Sequence, residues 1–259
     1  MCVAVRSPYS PSFYDGQVDA SLRSARVVAP LLAALVEPRS VIDIGCGRGG
    51  WLSIFAEGGV TDIAGEDGPW VDPARMLIDA ARFTHRDLAA PPAPLRRYDM
   101  AMSLEVAEHL DASAAQAFVD YLCGLADTVL FSAAVPGQGG THHVNEQRLS
   151  YWVDRFEAHD YALCDVLRGR IWDDRRIAWW YRQNIVLFAK RGSAAHKRLS
   201  RHPNLNAGPI DIIHPDGFFQ KADLRTRFVT HPIFTLRRDL GAFAARIGLR
   251  ARRRLAGQD

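Results

Sequence analysis

The residues best suited to acid–base or metal chemistry form two short clusters. Glu105, Glu108 and His109 are spaced i, i+3 and i+4, so on one helical turn their side chains would share a face. A second cluster, further along the chain, contains the consecutive histidines His142 and His143. Two carboxylates with one or two imidazoles can hold a divalent cation such as Mg²⁺ or Mn²⁺, and such a cation lowers the pKa of a bound hydroxyl.

Three interpretations of these clusters are open. In the first, the cation is held by Glu105, Glu108, His109 and His143. In the second, no metal is present, and His109, His142 or His143 is the base that removes a proton from an acceptor. In the third, Glu105 contacts a cofactor or caps its loop, and the histidines are structural.

A glycine-rich loop follows an apolar run, and its sequence is Val41-Ile42-Asp43-Ile44-Gly45-Cys46-Gly47-Arg48-Gly49-Gly50. Glycines let the backbone turn tightly and approach a ligand without a Cβ in the way. Gly45, Gly47 and Gly50 match the GxGxxG pattern, which binds a pyrophosphate at a helix N-terminus. The alternative pattern combines Gly45, Gly47 and Gly49 with Asp43, whose carboxylate would repel a pyrophosphate and attract a cationic ligand.

The elements that must position these residues are predicted by hydrophobic patterning. Short β-rich runs alternate with helical segments, which indicates an α/β doubly wound, Rossmann-like sheet. The predicted strands are Ser40–Ile44, Thr61–Glu66, Arg82–His85, Tyr98–Ser103, Thr128–Ala134, Leu163–Arg168 and Ile177–Lys190. The predicted helices are Asp19–Leu35, a lid or brace, followed by Gly50–Glu57, Pro73–Ala81, Ala112–Ala126 and Glu146–Ala158. Because such a sheet binds ligands at the carboxyl ends of its strands, we expect the glycine loop and both clusters to meet there.

The composition is that of an ordinary globular protein. Of the 259 residues, 48% are hydrophobic and 24% are charged, which excludes disordered, collagen-like and coiled-coil proteins. No apolar run reaches the roughly 18 to 20 residues of a membrane span. Met1–Ser10 lacks the pattern of a secretory signal, so we expect a cytoplasmic location. The four cysteines form no CxxC pair, which argues against a zinc module or a disulfide framework.

Charge divides the chain after Arg191. Residues 1–191 contain 19 basic and 24 acidic side chains, a net charge of −5, whereas residues 192–259 contain 13 and 5, a net charge of +8. We therefore expect an N-terminal lid segment at 1–39, a ligand-binding domain at 40–191 and a basic extension at 192–259. The extension would consist of a loop-rich connector and an amphipathic helix near 236–255 that docks on its own domain or contacts a membrane surface or polyanion. The acidic first part argues against nucleic acid as a partner.

The segment Val41–Gly49 resembles the first motif of the class I S-adenosylmethionine-dependent methyltransferases, and the resemblance extends over about residues 10–191. It implies a seven-stranded sheet with an antiparallel last strand. It also implies that the methionine part of the donor is held by Asp43, Gly45, Cys46, Gly47 and Gly49. The ribose would be held by Asp67, with Glu66 as the alternative, and the adenine by Asp87 and Leu88.

Ser103–Leu110 resembles the fourth motif of the same family. Its Glu-x-x-Glu-His pattern, with a downstream histidine, is similar to the metal-assisted ubiquinone-pathway O-methyltransferases and small-RNA 2′-O-methyltransferases. This chain departs from both branches because its His142 and His143 are consecutive and because it lacks the rest of either branch's substrate region. We expect O-methylation of a small-molecule hydroxyl, on a sugar or a natural product. The alternatives are an RNA 2′-O-methyltransferase that uses the basic tail, and a nicotinamide-dependent oxidoreductase.

Overall fold

A single seven-stranded sheet organises the computed structural model, which describes residues 11–203 and 205–220. The strand order is β3-β2-β1-β4-β5-β7-β6. The first five strands pair in parallel, and β7 runs antiparallel to both β5 and β6. The strands are β1 Ser40–Ile44, β2 Asp62–Asp67, β3 Phe83–His85, β4 Met100–Leu104, β5 Thr128–Ser132, β6 Tyr161–Cys164 and β7 Val186–Lys190. The predicted doubly wound sheet with a reversed last strand is confirmed.

Helices cover both faces of this sheet, and the central strands are therefore buried on both sides. In β5, Leu130 packs into one apolar core, whereas Val129 and Phe131 pack into the other, as the two-residue period of a strand requires. The helices are α1 Pro11–Val36, α2 Gly50–Glu57, α3 Ala115–Leu125, α4 Leu149–Glu157, α5 Arg168–Ile171, α6 Trp179–Asn184 and α7 Ala194–Leu199. Parallel strands buried in this way end together at one edge, which we call the carboxyl edge.

Helix α1 braces the sheet through an apolar stripe. Ala25, Val28 and Leu32 are fully or almost fully buried in the same core as α2. They recur at intervals of three and four residues, the spacing that places side chains on one helical face. The helix thereby holds its neighbour α2, and through it the loop that precedes α2, against the sheet.

The last strand is shorter than predicted, because the first part of Ile177–Lys190 is helical. Helix α6 occupies Trp179–Asn184, and the strand begins only at Val186. The helical turn buries Tyr181, whose ring meets that of Trp51 edge-on at a centroid distance of 5.4 Å. It also brings the amide of Asn184 to the carboxyl edge, where a carboxylate accepts its hydrogen bond. Tertiary contacts thus override the β propensity of the aromatic residues.

Two other predicted elements also differ from the structure. The expected helix at Pro73–Ala81 is a pair of short 3₁₀ turns, Pro73–Arg75 and Ala80–Arg82. Each turn is capped by an aspartate side chain, Asp72 and Asp79, and such local hydrogen bonds compete with a continuous helix. The strand expected at Leu163–Arg168 ends at Cys164, because Arg168 begins α5 and is paired with Asp165 at 2.7 Å.

The chain divides into two compact units, Met1–His214 and Pro215–Asp259. The first unit therefore continues past residue 192, where the sequence predicts that the extension begins. Helix α7 is part of it, because Leu199 is buried in the main core. The amphipathic helix predicted near 236–255 lies outside the described residues. Within the described residues, no helix has the length and apolar character that a membrane crossing requires.

Candidate functional site

The glycine loop joins β1 to α2 at the carboxyl edge. Gly45, Gly47 and Gly49 have φ angles of +82°, +54° and +77°, in the left-handed region that side chains with a Cβ rarely adopt. Gly45 is also sterically required, because a Cβ there would overlap Cγ2 of Val106 and lie 2.8 Å from Cγ1. The loop is fastened to β2, whose Glu66 carbonyl accepts hydrogen bonds from Gly45 and Cys46. The backbone is thus held in a conformation that leaves space above it.

This space is a cavity of about 470 Å³ at the carboxyl edge. Almost all of the predicted donor-binding residues line it, namely Asp43, Gly45, Cys46, Gly47, Asp67, Asp87 and Leu88. Gly49 is not among the lining residues; it is the left-handed N-cap of α2. A cavity of this volume lies within the usual range for a small-molecule or cofactor site.

Two buried carboxylates give the cavity wall its electrostatic character. Burial raises the pKa of Asp43 well above its usual range, and the nearby charge of Asp67 raises it further. Burial also raises the pKa of Asp67, although hydrogen bonds from Gly47 at 2.7 Å and Gly68 at 2.6 Å partly offset the increase. Because ionising both carboxylates in this wall is costly, a cationic ligand would be stabilised here.

Glu66, the alternative to Asp67, does not line the cavity. Its carboxylate accepts two hydrogen bonds from Arg86, at 3.1 and 2.9 Å, and one from the hydroxyl of Tyr121 at 2.6 Å. Burial, with the Glu66 contact as the next cause, raises the pKa of Tyr121 above its usual value. The structure therefore gives the two adjacent acids different roles: Glu66 fastens β2 to its surroundings, and Asp67 faces the ligand space.

The two histidine-bearing clusters meet beside this cavity. One ligand atom from each of Glu108, His109 and His143 lies within 4.8 Å of the other two, which is close enough for a shared metal ion. Glu108 is fully buried, and no side chain among the described residues donates a hydrogen bond to its carboxylate oxygens. Burial raises the pKa of Glu108 well above its usual range, the charge of Glu105 raises it further, and backbone N–H groups partly offset the increase. Burial lowers the pKa of His109 to about 4, with the charge of His143 as the next cause. The neutral imidazole that results is the form that binds metals.

Glu105 is not part of this cluster, although the sequence spacing predicts it as a fourth ligand. Its carboxylate oxygens accept hydrogen bonds from Gln138 at 2.7 Å and Asn184 at 3.0 Å. The helical turn begins only at Ala107, and Glu105 itself has a φ of +58°, so the i, i+3 relation does not apply to it. Burial raises the pKa of Glu105 to about 7, despite these two hydrogen bonds.

His142 lines the cavity but is likewise outside the metal-ligand cluster. Its side chain is exposed, and its backbone carbonyl lies 3.3 Å from Nδ1 of His109. Of the two consecutive histidines, His143 is therefore the one placed to act with Glu108.

Several residues at the site carry no recognisable motif in the sequence. Glu146 accepts hydrogen bonds from Gly137 at 2.7 Å and Gly139 at 2.5 Å, and it lies 2.9 Å from Nδ1 of His143. Ser21 and Tyr181 both line the cavity, with their hydroxyl oxygens 3.0 Å apart. The only signal for Glu146 was its position beside the glycines and histidines of the second cluster. For Ser21 there was none, because it meets Tyr181 only through the fold.

The chain is similar to known methyltransferases. Residues 14–170 match the family model described as a methyltransferase domain. Ribosomal RNA large subunit methyltransferase E of Caulobacter sp. (strain K31) is 40% identical over 60 residues, which are 23% of this chain and 25% of that protein. The chain thus matches only about a quarter of the length of this curated relative.

Solved structures share the fold at low sequence identity. A crystal structure of a protein from Nostoc punctiforme PCC 73102 is 14% identical, with a TM-score of 0.50 over 73% of this chain and 64% of that chain. The methyltransferase domain of a bacterial Hen1, CtHen1-C, is 21% identical, with a TM-score of 0.49 over 65% of this chain and 98% of that chain.

The family model covers more than half of the chain, including the glycine loop and both acid and histidine clusters. It therefore decides between the two interpretations of the glycine loop in favour of the methyl donor and against a nicotinamide dinucleotide. The chain belongs to the methyltransferase domain family, and it is a class I S-adenosylmethionine-dependent methyltransferase with a Rossmann-like fold.

Proposed function

We propose that this enzyme methylates a hydroxyl oxygen of a small molecule, a sugar or a natural product, with the help of a divalent cation. The cluster of Glu108, His109 and His143 beside the donor cavity is the observation that supports this proposal. A hydroxyl is a poor nucleophile until it loses its proton, so an enzyme that methylates oxygen needs a base or a Lewis acid at this position.

The residues of the cluster fit a metal ion. Ionising a buried carboxylate is costly, as the raised pKa of Glu108 indicates, and a cation beside Glu108 would offset that cost. One carboxylate and two imidazoles leave further coordination positions for an acceptor oxygen or water. This mixed donor set suits a first-row divalent ion such as Mn²⁺ better than Mg²⁺, which prefers oxygen ligands.

The rest of the site positions the reactants. Methyl transfer is an in-line displacement at an activated sulfonium, so alignment supplies much of the rate enhancement. We assign the methionine part of the donor to the glycine loop and Asp43, the ribose to Asp67, and the adenine to Asp87 and Leu88. A bound cation would lower the pKa of the acceptor hydroxyl. Glu108, His109 and His143 would hold this cation beside the cavity, whose wall includes His109.

Metal binding tests this proposal directly. Titration of the purified protein with Mn²⁺, followed by electron paramagnetic resonance, should show one site that is lost in Glu108→Gln and in His143→Ala. Both variants should bind S-adenosylhomocysteine normally in calorimetry, whereas Asp67→Asn should lose that affinity and retain Mn²⁺. Asp120→Asn is a matched control, since it removes a carboxylate 2.6 Å from the exposed His159 and should change neither.

Methyl transfer to simple acceptors then decides the role of the metal. With tritiated donor and a set of catechols and monosaccharides, wild type should transfer methyl groups to an oxygen and lose this activity with EDTA. Transfer that persists in EDTA but fails in His143→Ala would contradict the metal and favour a metal-free base. Transfer only to nitrogen, carbon or sulfur acceptors would refute the proposal.

An RNA 2′-O-methyltransferase is the second candidate. It is favoured by the net charge of +8 in residues 192–259, and the curated relative is named as a ribosomal RNA methyltransferase. Such an enzyme would bind RNA with an affinity that falls steeply with salt, because its basic residues displace counterions from phosphates. Fluorescence anisotropy of a short labelled RNA at 50 and 200 mM salt, a range for which ~10³-fold changes are typical, distinguishes the two candidates.

A further inference from the structure

We propose that Glu146 is a positioning residue, which fixes the imidazole of His143 so that its Nε2 atom faces Glu108. The proposal rests on the cation site of the proposed function, because it concerns how one ligand of that site is oriented. Glu146 itself is not a member of the ligand cluster. Its contacts with the loop and with His143 carry the inference.

Three hydrogen bonds hold the carboxylate of Glu146, and one of them indicates which ring nitrogen of His143 carries a hydrogen. Oε2 accepts from the backbone N–H of Gly137 at 2.7 Å, and Oε1 accepts from that of Gly139 at 2.5 Å. Oε1 also lies 2.9 Å from Nδ1 of His143. Because an ionised carboxylate can only accept, Nδ1 donates and carries a ring hydrogen. In the neutral imidazole Nε2 then keeps its lone pair, which is the form that can bind a metal.

The orientation of the ring agrees with this assignment. Nε2 of His143 lies 4.0 Å from Oε1 of Glu108, which is too far for a hydrogen bond and close enough for both atoms to bind one ion. The ring of His109 packs edge-on against that of His143, with 4.8 Å between centroids. Histidines that bind metals usually donate their other N–H to a carboxylate or carbonyl, which fixes the tautomer and strengthens the ligand. Glu146 has that relation to His143.

The neighbouring Gly140 leaves the ring its space. A Cβ at this position would overlap Nε2 of His143 and would lie 2.5 Å from Cε1. Glu146 therefore holds the Nδ1 side of the ring, and the lack of a side chain at Gly140 leaves room for the Nε2 side. A side chain at residue 140 would displace the ring without removing any hydrogen-bonding group.

The first experiment measures the tautomer and the metal affinity of Glu146→Gln. In ¹⁵N NMR of the metal-free wild type, His143 should be the Nδ1–H tautomer, and Glu146→Gln should populate both tautomers. Mn²⁺ should bind this variant about 10- to 100-fold more weakly, the usual loss when a hydrogen-bond partner of a metal ligand is removed. S-Adenosylhomocysteine affinity should not change. Asp120→Asn, which alters the exposed pair with His159, should leave both the His143 tautomer and Mn²⁺ affinity at wild-type values.

A double-mutant cycle separates positioning from a general effect on the loop. If Glu146 acts through the ring of His143, then Glu146→Gln and Gly140→Ala displace the same ligand, and their combined loss of Mn²⁺ affinity should be smaller than the sum of the two single losses. Additive losses would show that Glu146 only stabilises the loop through Gly137 and Gly139, and would overturn the proposal. Gly140→Ala alone should weaken Mn²⁺ binding, because its side chain would displace the ring of His143 while Glu146 is intact. Wild-type affinity in this variant would show that Mn²⁺ binding does not depend on the position of the ring.

Failure of this inference can be distinguished from failure of the proposed function. If Glu108→Gln binds Mn²⁺ as wild type does, the cation site itself is wrong. The NMR tautomer of His143 in Glu146→Gln still decides whether Glu146 orients the ring. If Glu108→Gln and His143→Ala lose the ion but Glu146→Gln retains both its affinity and the wild-type tautomer, only the inference is wrong.

Discussion

Replacing Gly45 by alanine should damage the donor site through two separable effects. The first is backbone strain, because an alanine at a φ of +82° costs about 1–2 kcal/mol. The second is steric overlap, because the new Cβ would meet both γ carbons of Val106. Overpacking of this kind typically costs about 1–3 kcal/mol. The free energy of unfolding should therefore fall by about 2–5 kcal/mol, the range that these two effects give together.

Gly47 offers a matched control within the same loop. Its φ of +54° imposes a similar strain on alanine, but a Cβ there would meet no atom within 4 Å. Gly47→Ala should therefore lose only the backbone contribution, about 1–2 kcal/mol. The difference between the two variants is the cost of the contact with Val106.

The contact can be removed in a double-mutant cycle. Val106→Ala deletes both γ carbons and leaves only its Cβ, 3.1 Å from the new side chain, so in that background Gly45→Ala should cost only slightly more than Gly47→Ala does in the wild type. Urea unfolding gives the free energies, and calorimetry with S-adenosylhomocysteine should show that the lost ligand affinity is partly restored in the double variant. Equal costs for Gly45→Ala and Gly47→Ala, or a coupling energy of zero between residues 45 and 106, would refute this explanation.

Two further outcomes follow from buried acids at the site. Burial raises the pKa of Glu105 from 4.5 to about 7, so the folded protein binds this proton more tightly than the unfolded chain, and stability falls as pH rises between these values. In Glu105→Gln, urea unfolding at pH 5 and pH 8 should show a smaller decrease than in the wild type, because Glu108, Asp43 and Asp67 also have raised pKa values and still contribute. An unchanged pH slope would contradict the shift. Tyr121→Phe removes the hydroxyl that donates to Glu66, and should cost about 1–3 kcal/mol because a buried acceptor loses one partner. S-Adenosylhomocysteine affinity should not change in this variant, since Glu66 is not in the cavity wall, and weaker binding would show that it contacts the donor.

Local sequence signals were sufficient to predict the bounds of a strand or helix where an apolar run ends abruptly. The bounds of Ser40–Ile44 and Gly50–Glu57 were predicted without error, because the change from β-branched residues to glycines marks both ends of the loop. The positions of Asp43, Asp67 and Leu88 in one cavity follow from the strand order, which the family resemblance implied.

Tertiary contacts account for the differences between the predicted and the observed elements and site residues. The aromatic residues of Trp179–Asn184 have β propensity, but the helix is stabilised by the ring contact with Trp51, a residue far away in the sequence. The spacing of Glu105 and Glu108 predicted a shared face only if a helix began at residue 105. Glu105 instead has a positive φ, and its carboxylate accepts hydrogen bonds from Gln138 and Asn184, away from the ligand cluster of Glu108, His109 and His143. No periodicity in the sequence indicates this backbone conformation or these two partners.

The reversed direction of β7 determines where the chain leaves the sheet. Residue 186 begins this strand at the ligand-binding edge, and Lys190 ends it at the far edge, about 13 Å away over four residue steps. The polypeptide must then travel back, and by His214 it has returned, because its N–H donates to Oε1 of Gln183 at 2.7 Å. A shortened chain that stopped at Arg191 would retain every strand. The buried side-chain amide of Gln183 would nevertheless lose the hydrogen bond from His214. This amide donates to Asn184, which in turn donates to Glu105, so the loss would occur next to the hydrogen bonds of the site.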